Sequence, residues 1–153
     1  MQSAPALVLL ANLAATLYMT GLIWFVQVVH YPLFAAVGEP GFAAYSQRHQ
    51  SLTTLVVGPP MLLEALTAGL LLILRPAGVP AWAGWAGVAL VAAIWISTAA
   101  LQIPAHARLS SGLDVAVVRD LVATNWIRTV GWSLRAALVA WMAFLAMRPA
   151  PAP

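Results

Sequence analysis

The chain has no cysteine and no lysine, and only 7% of its 153 residues are charged. Without cysteine there can be no disulfide, no thiolate metal site and no thiol redox chemistry. Seven arginines against four acidic residues give a formal net charge of +3. The arginines are scattered rather than gathered into a basic stripe, so nucleic acid is not among the expected partners. Residues Met1 to Leu10 carry no basic side chain and so lack the charged start of a secretory signal. Their apolar run reads as the beginning of a first span.

What the chain has in quantity is hydrocarbon. Hydrophobic residues make up 63% of it and the mean hydropathy is +0.91, whereas soluble domains lie near ~45–50% apolar. A crossing takes about 20 apolar residues, so the length suits one domain of four spans, expected at about 6–30, 52–74, 82–102 and 125–147. Span ends are read from Tyr31-Pro32, Pro104 and Arg148-Pro149, because a residue before proline is pushed away from helical dihedrals. Gly58-Pro59-Pro60 predicts a kink or break in the second span. Residues 109–122 place Leu113, Val117 and Leu121 at helical spacing among Asp114, Arg119 and Asp120. That pattern predicts a short interfacial amphipathic helix between the third and fourth spans. The Pro-Ala tail, 149–153, is expected to be disordered. Short connections make successive spans antiparallel neighbours. The expected fold is therefore all-α, an integral membrane four-helix up-down-up-down bundle, located as a multi-pass protein in a bacterial inner membrane.

In such a chain the few polar side chains carry the information. Glu64 and Arg135 sit near the middle of the second and fourth spans, and hydrocarbon retains a charge only beside a partner. At ~1.5 Å per residue, Glu64 lies roughly 18 Å and Arg135 roughly 14–18 Å from the end that carries the first and third connections, so the two can meet near the midplane. Projected at the helical angle, Thr16, Thr20, Trp24, Gln27 and Tyr31 form one stripe, with His30 beside it. Trp95, Thr98, Gln102 and His106 form a second, and Asn125, Arg128, Trp132 and Arg135 a third. Lipid has no use for such stripes, so all three are pointed inward.

The expected site is a one-sided polar funnel. Glu64 and Arg135 form its floor, Gln27, Gln102, Asn125 and Arg128 its polar lining, Trp24, Trp95 and Trp132 its aromatic walls, and His30 and His106 its mouth. Glu64, Arg135, His30 and His106 are the candidate catalytic residues, the pair polarising a ligand and a histidine moving a proton. A purely structural ion pair fits the same two residues, and Asn125 and Arg128 also fit capping and snorkelling roles. His30 and His106 are the candidates for a metal ion or for axial ligation of a heme, although no His-x-x-x-His or Glu-x-x-His spacing supports a metal. His49, within the polar stretch Tyr45 to Gln50, reads as a solvated connector residue. Gly84 and Gly87 read as close helix contacts.

Pro59-Pro60-Met61, Ile94-Trp95, Pro104-Ala105-His106-Ala107-Arg108-Leu109, Val118-Arg119-Asp120-Leu121-Val122, Asn125-Trp126 and Arg135, in that order, span about two thirds of the chain. This order resembles the anthrone-oxygenase-like family of small four-span membrane proteins. The resemblance implies a four-helix bundle and oxygenase chemistry on a polycyclic phenolic substrate without an obvious cofactor. The family carries Asn where His106 stands, and a His one turn before its Arg, where this chain has Trp132. Three functions follow. One is a membrane-embedded oxygenase, oxidoreductase or cofactor-binding protein with a hydrophobic aromatic or isoprenoid-like ligand. Another is a small proton-coupled transporter or channel subunit acting as a homo-oligomer, with Glu64 titrating and Pro59-Pro60 as hinge. The third is a non-catalytic membrane scaffold or accessory subunit. Membrane lipid is a partner in each.

Overall fold

The computed structural model describes residues 3–148, and the tail expected to be disordered lies outside them. Four helical runs, Ser3–Ala36, Phe42–Ile73, Ala81–Leu109 and Val115–Met147, are each long and apolar enough to cross a membrane. Among the described residues there is no strand. The regular elements are α1 (Ser3–Phe25), α2 (Phe42–Ile73), α3 (Ala81–Ser97), α4 (Ile103–Leu109) and α5 (Val115–Met147).

The first and third runs do not stop at Pro32 and Pro104. In each, a π-helical turn precedes the proline: Val26–His30 before Pro32, and Thr98–Gln102 before Pro104. The Tyr31 amide donates five residues back to the Val26 carbonyl at 3.0 Å. The extra residue re-registers the backbone, so that each proline falls in the first turn of the next segment, Pro32–Ala36 or α4, where its missing N–H costs least.

The second span starts at Phe42 rather than near residue 52, directly after Gly41 with φ +85°. The polar stretch 45–50 is therefore helix. Of the kink or break expected at Gly58-Pro59-Pro60, the break is absent, since α2 runs through both prolines. Two missing donors within one turn leave the Leu55 and Val56 carbonyls without their i+4 partners, too small a loss to divide a helix held on both sides.

The separate interfacial helix is likewise absent. Asp114 caps α5, accepting from the amides of Ala116 (3.0 Å) and Val117 (3.2 Å), and one helix continues to Met147. The apolar face of its first turns, Val117, Val118 and Leu121, is buried against Tyr31, Phe34, Phe42 and Leu109. Packing on protein took the place of the membrane surface.

The helices close a ring, with α1 against α2 and α5, and α3 against the same two. Three apolar clusters fill it. The one just named occupies one end, Leu9, Leu71, Val79, Ala83, Val139 and Met142 the other, and Met19, Ile23, Met61, Ile94 and Trp132 the middle. Close approach needs glycine: a Cβ at Gly131 would stand 2.9 Å from Ile94 Cγ1, and one at Gly84 would stand 3.1 Å from Leu72 Cδ2. Many large apolar side chains face outward, such as Leu55, Leu66 and Ile73.

Candidate functional site

Glu64 and Arg135 meet, as their depths allow, and all four long helices contribute to what surrounds them. Arg135 Nε donates to Glu64 Oε1 at 2.8 Å, with both side chains fully buried. Thr16 Oγ1 donates to the same carboxylate oxygen at 2.7 Å, and Trp132 Nε1 donates to the other at 2.9 Å. The rest of the guanidinium donates to the Gly87 carbonyl, to Asn12 Oδ1 at 3.1 Å and to Thr16 at 3.3 Å. Asn12 is held in turn through its Nδ2, which donates to Thr67 and to the Glu64 carbonyl. Gly87 thus offers an acceptor as well as space. Each carboxylate oxygen has donors, and the guanidinium has acceptors on three helices.

A second polar layer lies toward the end that carries His30 and His106. Gln27, in the first π turn, accepts from Asn125 Nδ2 (3.0 Å) and Thr129 Oγ1 (3.1 Å) and donates to the Val122 carbonyl (3.0 Å). Gln102, in the other π turn, accepts from Ser97 and donates to Thr124. Both glutamines are buried. The wider turn that accommodates a proline also sets an amide side chain facing α5.

The third layer is aromatic and carries all three histidines. His30 Nε2 and His49 Nδ1 are 2.9 Å apart, and Tyr31 Oη and His106 Nε2 are also 2.9 Å apart. The His49 and His106 rings lie 5.3 Å centre to centre, and Phe34 stands edge-on to both His30 and His49. Two clefts flank this layer. One, about 520 Å³, opens between α1 and α2 and is lined by His30, Tyr45, Arg48 and Val56 among others. The other, about 510 Å³, lies among α2, α4 and α5 and takes in Met61, Trp95, Gln102, His106 and Arg128. Tyr31, His49, Thr53 and Val57 face both.

Several expected positions are corrected by this arrangement. Among the described residues the expected lining does not gather into one funnel: Glu64 and Arg135 line neither of the two clefts. Met61 lines the second cleft and packs with Met19, Ile23, Ile94 and Trp132, so hydrocarbon separates cleft from ion pair. Of the expected lining, Gln102, Arg128 and Trp95 face that cleft, whereas Gln27, Asn125 and Trp132 are consumed in the polar layers. Trp24 is on the outer surface, donating to Ser133 Oγ at 3.1 Å with its ring edge-on to Trp126, because an indole can lay its ring toward lipid while its N–H finds a neighbouring helix.

His30 and His106 open on different clefts and share no gap, so they do not fit the two axial positions of one heme. Among the described residues no group of three or more His, Asp or Glu side chains converges on a metal position. His49, expected in solvent, stands between the other two histidines because α2 begins before it. The spacing of Phe42, Tyr45, His49 and Thr53, which keeps one helical face, was the signal for it. No family model, no curated protein and no solved structure matches the chain.

Proposed function

We propose that this is a multi-pass membrane protein, an up-down-up-down bundle in a bacterial inner membrane. It takes a hydrophobic small molecule into the cleft among α2, α4 and α5 and presents the Tyr31–His106 pair to it for proton transfer. The observation that carries this is the 2.9 Å contact between Tyr31 Oη and His106 Nε2, opening on a cleft of about 510 Å³ whose apolar wall includes Val57, Met61, Leu62, Trp95 and Ile103 and whose polar lining includes Gln102 and Arg128. That volume lies in the range of ~300–1,000 Å³ common for ligand sites, and a few convergent polar groups in an apolar wall are what such sites use to orient a ligand. A phenol hydrogen-bonded to an imidazole can donate or accept a proton at the cleft wall without exposing a full charge to lipid.

Glu64 and Arg135 are assigned to bracing the helices, since every oxygen of the carboxylate is occupied by protein donors. The resemblance to anthrone-oxygenase-like proteins suggests that an aromatic or isoprenoid-like ligand is oxidised here with dioxygen as the electron acceptor. The Tyr31–His106 pair would supply the proton step of that oxidation. Native mass spectrometry of the protein purified in mild detergent tests the proposal. A small-molecule adduct is expected on the unaltered chain and not on Ala99→Trp, which fills the cleft. Equal spectra from the two, with no adduct on either, would sink it.

A second reading, a proton-coupled carrier or channel subunit, is favoured by one feature: His49 and Tyr31 border both clefts. Imidazoles between two clefts can pass a proton from one to the other. Proteoliposomes with no pH-driven flux, or with the same flux after His49→Phe, would remove it.

A further inference from the structure

Arg128 is the only arginine among the described residues that is buried without a carboxylate. Arg135 has Glu64, Arg108 reaches Asp114 at 3.5 Å near the surface, and Arg48, Arg75, Arg119 and Arg148 are exposed. Arg128 is 6% exposed. Its Nη1 donates to Asn125 Oδ1 at 3.2 Å, its guanidinium carbon stands 5.2 Å from the Trp132 ring centre, and its Nε has no partner. Counted along α5 at ~1.5 Å per residue, Arg128 stands ~10 Å from Arg135 toward the histidine end, which with Arg135 near the midplane is still inside a core ~30 Å thick. A cation at that depth is kept by a counter-charge, by backbone carbonyls or by cavity water, and the Asn125 amide oxygen, the Trp132 indole face and the neighbouring Tyr31 phenol supply no counter-charge.

The counter-charge has one place to come from. Arg128 lines the cleft among α2, α4 and α5, whose lining includes no Asp or Glu. The buried His106 Nδ1, on the wall of the same cleft, also has no partner. A guanidinium offers five N–H donors in a planar fork suited to two oxygens of one carboxylate or phosphate. Met61, Leu62 and Trp95 supply apolar wall for whatever is attached to those oxygens.

We infer that the cleft holds an amphiphile with a singly charged oxyanion headgroup, the headgroup on Arg128 and the tail along Met61, Leu62 and Trp95. This rests on the cleft being a ligand site, as proposed above, and adds the charge of the ligand. A fatty carboxylate and a phosphate-headed membrane lipid share this chemistry.

The test uses the full chain in non-ionic detergent and reads quenching of the Trp95 component of fluorescence, obtained by subtracting the Trp95→Phe protein. The probes are dibromostearate, its methyl ester and a tail-brominated phosphatidylglycerol. The inference expects half-quenching by dibromostearate or by the phosphatidylglycerol at a concentration at least tenfold below that of the ester. Whichever anion acts at the lower concentration identifies the headgroup as carboxylate or phosphate. Arg128→Gln should erase the difference between acid and ester, and Arg128→Lys should keep most of it. Equal quenching by acid, lipid and ester in the unaltered protein would overturn the oxyanion and leave the hydrophobic ligand site standing. Absence of Trp95 quenching by all three would overturn both. Should Arg128→Gln not elute as a single species, Arg128→Lys together with the acid-to-ester ratio of the unaltered protein decides the matter.

Discussion

Replacing Glu64 by Gln changes one atom and removes the charge on which the central layer is organised. The carboxylate accepts from Thr16 and Arg135 on one oxygen and from Trp132 on the other. An amide can satisfy only one of these sides, because its NH2 must then face either the indole N–H or the hydroxyl and guanidinium. Arg135 is left as a buried cation without its partner, and removing one member of such a pair costs about 3–5 kcal/mol. Arg135→Met strands the carboxylate instead, along with Asn12 Oδ1, at a similar cost of about 3–5 kcal/mol. With both changes made, no charge is stranded. What remains is a set of unpartnered neutral groups at about 1–3 kcal/mol each. The double variant should therefore lose roughly as much as either single one, with a coupling energy near or above the top of the usual range of about 0.5–3 kcal/mol. Unfolding in mixed micelles with increasing dodecyl sulfate, followed by circular dichroism, measures the cycle. Additive losses, within about 0.5 kcal/mol, would refute the brace. So would a Glu64→Gln protein of unaltered stability that no longer holds its small molecule, since that result would make the carboxylate part of the ligand site.

Other substitutions probe the packing around it. Gly131→Ala puts a methyl 2.9 Å from Ile94 Cγ1 and should cost about 1–3 kcal/mol as overpacking; adding Ile94→Ala should cost less than the sum in the same unfolding assay. Gln27→Leu strands Asn125 Nδ2 and removes a second hydrogen bond from the helical Val122 carbonyl, an expected loss of about 1–3 kcal/mol, and an unchanged unfolding midpoint would mean that the π-turn glutamine is idle. Pro59→Ala restores a helical donor inside an unbroken α2 and should stabilise by about 1–3 kcal/mol, since proline in a helix interior stands ~3 kcal/mol below alanine. A loss of stability would show that the helix depends on the irregularity.

The central pair was legible because two charges in an apolar chain have few places to go, and counting the helical rise puts Glu64 and Arg135 at one level. The four long helices were legible for the same reason, as hydropathy needs no tertiary information. The prolines were not. Sequence says that Pro32 and Pro104 lack an amide, but whether the chain stops or slips into a π turn depends on neighbours that can hold the wider turn. Each slip adds a residue, which turns everything beyond it by ~100° relative to a straight helix. His106 lies beyond the second of these turns and is rotated by it, whereas His30 lies within the first. His49 was missed because a polar stretch after two glycines has no hydropathy signal of its own. Its helix is fixed by the burial of Phe42 and Ser46, within two turns before it. The first turns of α5 had the right period and the wrong partner, since an amphipathic face packs on protein as readily as on lipid.

The span of chain between Glu64 and Arg135, 71 residues, sets an interval in biosynthesis. At translation rates of ~5–20 residues per second, the carboxylate exists for roughly 4–14 s before its cation has been made. Throughout that time the Glu64 carboxyl is without its arginine, and only the emergence of α5, the last of the four long helices, supplies it. The ion pair is in this sense a mark of completion that membrane proteases and insertion chaperones could read. Chains cut short before Arg135 should be degraded in pulse-chase faster than the same fragments carrying Glu64→Leu, and equal half-lives would show that the cell does not consult the mark.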